Sequence, residues 1–345
     1  MNGRLLISPI LPATGRQILN YIYKMKQNFI GIDIGGTKCA VTYGIRDVEN
    51  IEIVDKLKFD TTCVDDTVAN LLETTSVIMQ KYGLNAGNTT AIGVSCGGPL
   101  DSKKGVIMSP PNLPGWDNIP IVELFEKRFG IKTAVQNDAN ACALAEWKFG
   151  AARGYSNAIF LTFGTGMGAG LILDGKLYAG TNDNAGEVGH IRLEKTGPVG
   201  YGKAGSFEGF CSGGGIAQLA RVRVMEKLQM GETVSFCKNM NELNSISAKT
   251  VAEAAEAGDS LAKEIYRECA RYLGKALSIL IDVLNPEIIV LGSIYCRAQN
   301  LIQPAMQEVI DSETIIHARS VCKIVPAELG ESIGDYAALS VAVNA

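Results

Sequence analysis

Apolar residues in this chain fall into short runs bounded by glycine and into longer stretches with helical spacing, the mixture expected of an α/β protein. Residues 29–33 form one such run, and a second, 39–44, follows across Gly35-Gly36-Thr37-Lys38. Two strands around a glycine turn read as a β-hairpin. A third strand is expected at 51–59 and an amphipathic helix at 66–81. A buried strand at 91–95 runs into Cys96-Gly97-Gly98-Pro99, and a helix at 121–129 begins at Pro120, a residue tolerated where the first turn needs no N–H. After a strand at 132–136, Asn137-Asp138-Ala139-Asn140 opens an alanine-rich helix over 139–149, with Asn137 or Asp138 as its N-cap.

The same pattern then starts again. A strand at 159–163 leads through Gly164-Thr165-Gly166-Met167-Gly168-Ala169-Gly170 into a strand at 171–173, and Asp174-Gly175 is a hairpin turn before 176–178. Apolar positions 261, 265, 269, 273, 276, 280 and 284 keep helical spacing up to Asn285-Pro286. A strand at 288–291 breaks into Gly292-Ser293. The strand–glycine turn–strand units at 29–44 and 158–173 are an approximate internal duplication, and two mixed α/β lobes meeting at a cleft are the simplest architecture. No shorter period recurs, which excludes a solenoid. The division expected is an N-terminal extension over 1–28 with a loose helix at 15–24, a first lobe over 29–136 joined by a C-terminal helix at 332–345, and a second lobe over 137–331.

Composition narrows the function classes. A net charge of −4 argues against nucleic acid as the main partner, since phosphate binding needs a basic face. It leaves ATP open, because Mg²⁺ and backbone N–H groups can carry the phosphate charge. No apolar run approaches the roughly 18 residues that span a bilayer, and no membrane partner is expected. Nine scattered cysteines without a C-x-x-C pair fit reduced thiols of a cytoplasmic protein, with Cys39, Cys96 and Cys142 as small buried hydrophobes.

Four segments carry candidate chemistry. Asp33-Ile34-Gly35-Gly36-Thr37-Lys38 offers backbone N–H groups, a hydroxyl and a positive charge to phosphate, and Asp33 offers a carboxylate to Mg²⁺ or its waters. It is not a G-x-x-x-x-G-K-S/T loop, and a strand rather than a helix follows it. Gly164, Gly166 and Ala169 satisfy a dinucleotide fingerprint, but that fingerprint must lead into a helix, and here a hairpin follows. A second phosphate-clamping turn fits better. Asp138, at a strand end that opens a helix, can accept the proton of an alcohol attacking a phosphoryl group. Gly186-Glu187-Val188-Gly189-His190 and Glu208 frame a glycine-rich loop over 197–205, where two acceptors and an imidazole would grip hydroxyl groups or, with further partners, a metal.

Taken together these residues resemble the ROK family of repressors, open reading frames and kinases. The resemblance covers about 28–345 and rests on Ile32-Asp33-Ile34-Gly35-Gly36-Thr37-Lys38, Gly97-Gly98-Pro99, Asn112-Leu113 with Trp116, Asn137-Asp138-Ala139-Asn140, Gly164-Thr165-Gly166-Met167-Gly168, Gly186-Glu187-Val188-Gly189-His190, Glu208, and Asn285-Pro286-Glu287 leading to Leu291-Gly292. It implies the two-lobe actin-like ATPase (ribonuclease H-like) fold with an interlobe cleft. It also implies that Asp138 is the base for a sugar 6-hydroxyl and that Asn112, Asn137, Glu187, His190 and Glu208 hold the other hydroxyls, with Gly98 lining the sugar side. Asp33, Gly35, Gly36, Thr37 and Lys38 with Gly164, Thr165 and Gly166 match the phosphate and Mg²⁺ region, and Gly292 and Ser293 the turn near the adenosine.

The activity so implied is ATP-dependent phosphorylation of a hexose, glucose first, with N-acetylmannosamine or N-acetylglucosamine as alternatives and a homodimer as the expected assembly. A sugar-responsive repressor would need a helix-turn-helix domain, for which the 28 residues before the first strand are too few. A non-catalytic sugar-binding protein is the other rival. The departure from the family lies in the loop. Zinc-bearing members run C-x-C-G-x-x-G-C-x-E, and aligned on Gly202, Gly205 and Glu208 this chain has Val199, Tyr201 and Ser206 at the cysteine positions. His190 alone cannot hold a tetrahedral zinc, so no structural zinc is expected, and Tyr201 and Phe207 are expected to order the loop as an apolar plug. Metal analysis of protein purified without chelator should find no stoichiometric zinc; zinc at one equivalent would overturn this expectation.

Overall fold

A computed structural model of the protein describes residues 26–48 and 50–345. The helix expected at 15–24 and the start of the N-terminal extension lie outside the described residues.

The hairpin of β1 (Gln27–Ile34) and β2 (Lys38–Arg46) is extended on its outer side by β3 (Ile51–Asp60), all antiparallel. The chain then passes through α1 (Val64–Tyr82) and returns as β4 (Thr89–Cys96), parallel to β1. A small hairpin, β5 (Leu100–Asp101) with β6 (Val106–Ile107), and α2 (Ile121–Phe129) precede β7 (Thr133–Asn137), parallel to β4. The sheet order is β3-β2-β1-β4-β7. Parallel neighbours need helical crossovers, which is where α1 and α2 fall.

The second sheet repeats this plan. After α3 (Asp138–Phe149), the strands β8 (Ala158–Leu161), β9 (Ala169–Leu173) and β10 (Lys176–Leu177) are antiparallel. A two-stranded ribbon, β11 (Val199–Gly200) with β12 (Lys203–Ala204), leads into α4 (Phe207–Phe210), α5 (Gly213–Gln229), α6 (Ala248–Glu256) and the long α7 (Ser260–Leu284). Strand β13 (Ile288–Leu291) follows, parallel to β8. After α8 (Ile294–Glu313) and the single turn α9 (Ile316–Arg319), β14 (Lys323–Pro326) pairs parallel to β13. The order is β10-β9-β8-β13-β14. The duplication legible as two hairpins therefore extends to two whole sheets.

Local chemistry explains most boundaries. Helix α7 starts where Asp259 accepts the Ala262 N–H at 2.9 Å and ends where Asn285 turns left-handed (φ 44°) ahead of Pro286. Strand β8 stops at Leu161, short of the expected 163, because Phe163 takes φ 35° and its carbonyl accepts the Ile294 N–H at 3.0 Å. Of the three cysteines expected in the core, Cys39 and Cys96 are buried and Cys142 is half-buried. Among the described residues no helix is long and apolar enough to cross a membrane.

Two helices tie the sheets together. Helix α3 leaves β7 of the first sheet and packs on β9 of the second, where a Cβ at Gly170 would fall on Ala139 O and Ala143 Cβ. Helix α10 (Ile333–Asn344) follows β14 of the second sheet and packs back on β1 and β4 of the first. A Cβ at Gly31 would sit 2.8 Å from Leu339 N, and one at Gly93 would fall on Ala338 O and Ala342 N. Small buried residues let the helices approach each other, Ala141 on α3 and Ala337 on α10 among them. The fully buried Glu146 of α3 pins the crossing. Its carboxylate accepts backbone N–H bonds from Ala151 (2.8 Å), Leu329 (3.0 Å) and Glu328 (3.3 Å), which satisfies a charge that burial would otherwise penalise. Gly93→Ala should lower the unfolding free energy by about 1–3 kcal/mol, the scale of overpacking in a closed core. Chemical denaturation checks it, and an unchanged midpoint would show that α10 does not sit as described.

Candidate active site

The residues singled out in sequence gather at the carboxyl ends of parallel strands, where α/β sheets place ligands. Asp33 lies at the end of β1, Gly98 beyond β4, Asn137 and Asp138 at the junction of β7 and α3, Gly164 to Gly166 beyond β8, and Gly292 and Ser293 beyond β13.

Three cavities follow one another along the cleft. Gly98, Asn137, Glu187, His190 and Glu208 line one of about 330 Å³. A second, about 370 Å³, shares Asn137, Glu187 and Glu208 with the first and adds Asp138, Gly164, Thr165 and Gly166. A third, about 700 Å³, shares Gly164 and Thr165 with the second and reaches Gly213, Gly214, Lys249, Ser293 and Arg297. Asp138 thus stands between the residues expected to grip hydroxyl groups and the second glycine turn.

Residues not singled out as ligands also line the first cavity, among them Leu100, Met167, Asp183, Asn184 and Tyr201. Gly213-Gly214-Gly215 was a visible signal for the third cavity; Lys249 and Arg297, on helices far apart in the chain, carried none. Asn112 is not among the lining residues of these cavities. It backs the first glycine turn, where a Cβ on Gly36 would sit 2.5 Å from Asn112 O, and a Cβ on Gly97 would sit 3.2 Å from its side-chain Oδ1. That turn is closed by Gly35 N–H donating to Lys38 O (3.1 Å), Thr61 N–H to Thr37 O (2.9 Å) and the Thr61 hydroxyl to Gly35 O (2.6 Å), which leaves Thr37 and Lys38 exposed.

The acids of the cleft work against one another. Asp138 opens onto the cleft, yet protein on every side thins its hydration and raises its pKa, opposed by the Ala139 N–H donating to its Oδ1 at 2.7 Å. The same N–H donates to Asn137 Oδ1 at 2.9 Å, which makes Asn137 the N-cap of α3. Burial and the neighbouring Asp335 push Asp33 up to about 6, with a further contribution from Asp138, while Lys56 and Lys58 oppose the rise. Glu187 is raised by partial burial and by Asp138 and Glu208. Carboxylates crowded this way, beside exposed glycine turns, fit a site built to receive a hydrated Mg²⁺ with nucleotide phosphates.

The loop over 197–208 is ordered otherwise than expected. Phe207 is fully buried, but Tyr201 is 73% exposed. The apolar plug is therefore half right. Tyr201 and Gly202 form the tip of the β11–β12 ribbon with positive φ (41° and 73°), the geometry of a tight hairpin turn, and such a tip points away from the core. The Tyr201 ring instead meets His190 edge-on at 6.2 Å on the cavity rim. Ser206 caps α4, accepting the Gly209 N–H at 3.1 Å, and so fixes the turn that carries Glu208. Gln218 clasps the ribbon with its amide, accepting the Val199 N–H at 3.0 Å and donating to Val199 O at 2.9 Å. Lys203 Nζ donates to His190 O at 2.8 Å, and Met167 N–H donates to Glu208 Oε2 at 3.0 Å. The last bond ties Glu208 to the second glycine turn.

Two duplicated sheets with a cleft of this kind define the actin-like ATPase fold. A solved ROK family glucokinase from Streptomyces griseus, in complex with glucose and AMPPNP, shares it at a TM-score of 0.70 and 28% identity, over 92% of this chain and 100% of that one. The ROK family profile matches residues 29–344, and the chain belongs to the ROK family. It is 31% identical to a glucokinase of Streptomyces coelicolor over 311 residues, 88% of this chain and 94% of the relative. It is also 31% identical, over 270 residues, to the DNA-binding transcriptional dual regulator NagC of Escherichia coli K12, covering 77% of this chain and 64% of the regulator.

Gln218→Ala should release the ribbon, at about 0.5–1.5 kcal/mol for each net hydrogen bond lost. Hydrogen exchange should show faster amide exchange over 199–204 than in the wild type; unchanged protection would mean that the backbone bonds alone order the loop.

Proposed function

We propose that the protein is an ATP-dependent sugar kinase acting on the 6-hydroxyl of a hexose, with glucose the first candidate. The observation that carries this reading is the position of Asp138, between a cavity lined by hydroxyl-gripping residues and a chain of cavities that passes the second glycine turn. The glucokinases among its relatives point the same way.

In this reading Asn137, Glu187, His190 and Glu208 hold the sugar so that one hydroxyl points at Asp138. A carboxylate there accepts the hydroxyl proton as the oxygen attacks phosphorus, and its raised pKa makes it a better base than an ordinary aspartate. Mg·ATP supplies the phosphoryl group and offsets the charge that builds on it. With Mg·ATP bound, Asp33 would hold the cation or its waters, and the backbone N–H groups of the two glycine turns would be the donors to the phosphates. The Met167–Glu208 bond makes sugar position and phosphate-turn position interdependent. Water is excluded as the lobes close over both ligands.

A coupled ADP assay across hexoses and N-acetylhexosamines should show sugar-dependent turnover. Asp138→Asn should reduce it by about 10²–10⁴, the scale of a general base. The base must be ionised to work, so kcat/KM should fall as pH drops through its pKa. That acid limb should lie above 3.8, the ordinary aspartate value, because the protein around Asp138 thins its hydration and raises its pKa. Undiminished turnover in Asp138→Asn would remove it from the mechanism, and absence of sugar-dependent turnover in the wild type would remove the kinase reading.

A further inference from the structure

We propose that Ser102 and Asp183 form a clasp between the two walls of the sugar-side cavity, a positioning pair that sets how tightly a sugar is held. The proposal rests on the kinase reading for its ligand, and on geometry for the clasp itself. Ser102 begins the turn of the β5–β6 hairpin in the first lobe, two residues after Leu100, which lines the cavity. Asp183 belongs to the loop between β10 and Glu187 in the second lobe and lines the cavity with its neighbour Asn184. The Asp183 carboxylate accepts two bonds from the one serine: the Ser102 N–H donates to Oδ2 at 2.8 Å, and the Ser102 hydroxyl donates to Oδ1 at 2.7 Å.

Both partners are presented by turns that are fixed independently. On the first lobe, Asp101 Oδ1 accepts the Lys104 N–H at 2.9 Å and Asp101 Oδ2 pairs with the Lys104 ammonium at 3.1 Å, which holds the turn around Ser102. On the second, the Ala185 N–H donates to Ala179 O at 3.1 Å and closes the base of the loop. Asp183 itself sits at φ 61°, in the left-handed region that L-residues other than asparagine and aspartate rarely adopt. Glycine would meet the backbone requirement alone. An aspartate there adds a side chain, and that side chain spends both oxygens on the opposite lobe.

A direct bond between lobes favours the closed arrangement before any ligand arrives. Ligand affinity scales with the fraction of protein already competent to bind, so the clasp acts on sugar affinity, while the groups that contact the reacting atoms are left unchanged. Ser102 does not line the cavity, which separates the clasp from direct contact by Asp183 with a sugar.

The test compares wild type, Ser102→Ala, Asp183→Gly and the double variant. Asp183→Gly keeps the backbone conformation, and thermal melting checks that it folds. Glucose binding is measured by calorimetry without nucleotide, with kcat and KM in parallel. Ser102→Ala, which removes one of the two bonds, should raise the glucose Kd and KM about 3- to 10-fold. Asp183→Gly should raise them about 10-fold or more, and kcat should stay within about 2-fold in Ser102→Ala, whose side chain does not line the cavity. The double variant should match Asp183→Gly, because the serine hydroxyl has no partner left to lose. An effect of Asp183→Gly without one of Ser102→Ala would make Asp183 a direct sugar ligand and overturn the clasp, as would additive effects in the double variant. Amide exchange in the ligand-free protein keeps the two readings apart: Ser102→Ala should speed exchange over 180–186 whatever the protein phosphorylates, and unchanged exchange there would overturn the clasp even in an active kinase.

Discussion

The close crossing of α3 and α10 between the sheets is the constraint on which the rest of the molecule depends. Each helix starts from one sheet and buries itself against the other, and each contact needs a glycine where a Cβ would meet backbone: Gly170 under α3, Gly31 and Gly93 under α10. Asp138 is the first residue of α3, so the position of the candidate base is set by how that helix docks on the second sheet. Glu146, two turns further along, binds the backbone of Glu328 and Leu329 on the approach to α10. The carboxylate at one end of α3 faces the cleft, and the other binds the segment that returns the chain to the first lobe. Any rotation of the lobes must pass through this pair of helices.

The loop over 197–208 is held by several hydrogen bonds and one buried ring. Ser206 caps the turn of Glu208, Gln218 holds the ribbon edge, Lys203 reaches the carbonyl of His190, and Phe207 fills the core beneath. Each hydrogen bond is worth about 0.5–1.5 kcal/mol net of water, and several together hold two candidate sugar ligands in register. At position 201 the chain places an exposed aromatic ring at the rim of the cavity.

Electrostatics give the cleft its direction. Asp138 acts against the ionisation of Asp33, and Asp138 and Glu208 against that of Glu187, across a space that is only partly hydrated. In the absence of a counter-charge that repulsion weakens folding, and a cation with its phosphates would relieve it. Lys56, paired with Asp335 on α10, moderates the strain on Asp33. The C-terminal helix therefore contributes charge as well as packing to the first lobe's side of the site.

Much of this was written locally in the sequence. The two strand–glycine turn–strand units, the N-cap at Asn137, the helix over 260–284 with its Asn-Pro stop, and the candidate groups Asp33, Asp138, Glu187, His190 and Glu208 follow from periodicity, turn chemistry and residue type, because each depends on neighbours within a few positions. Helix α8, with Pro304 inside it, and strand β14 were not legible, since packing against α7 and β13 rather than their own pattern stabilises them. The tertiary structure alone decided which residues meet across long stretches of chain: Ser102 with Asp183, Val199 with Gln218, Glu146 with Leu329. It also turned Tyr201 out of the core and set Asn112 behind the first glycine turn. Such pairings leave no periodic trace, because a polar side chain on a turn or helix face looks solvated until the fold brings its partner within 3 Å.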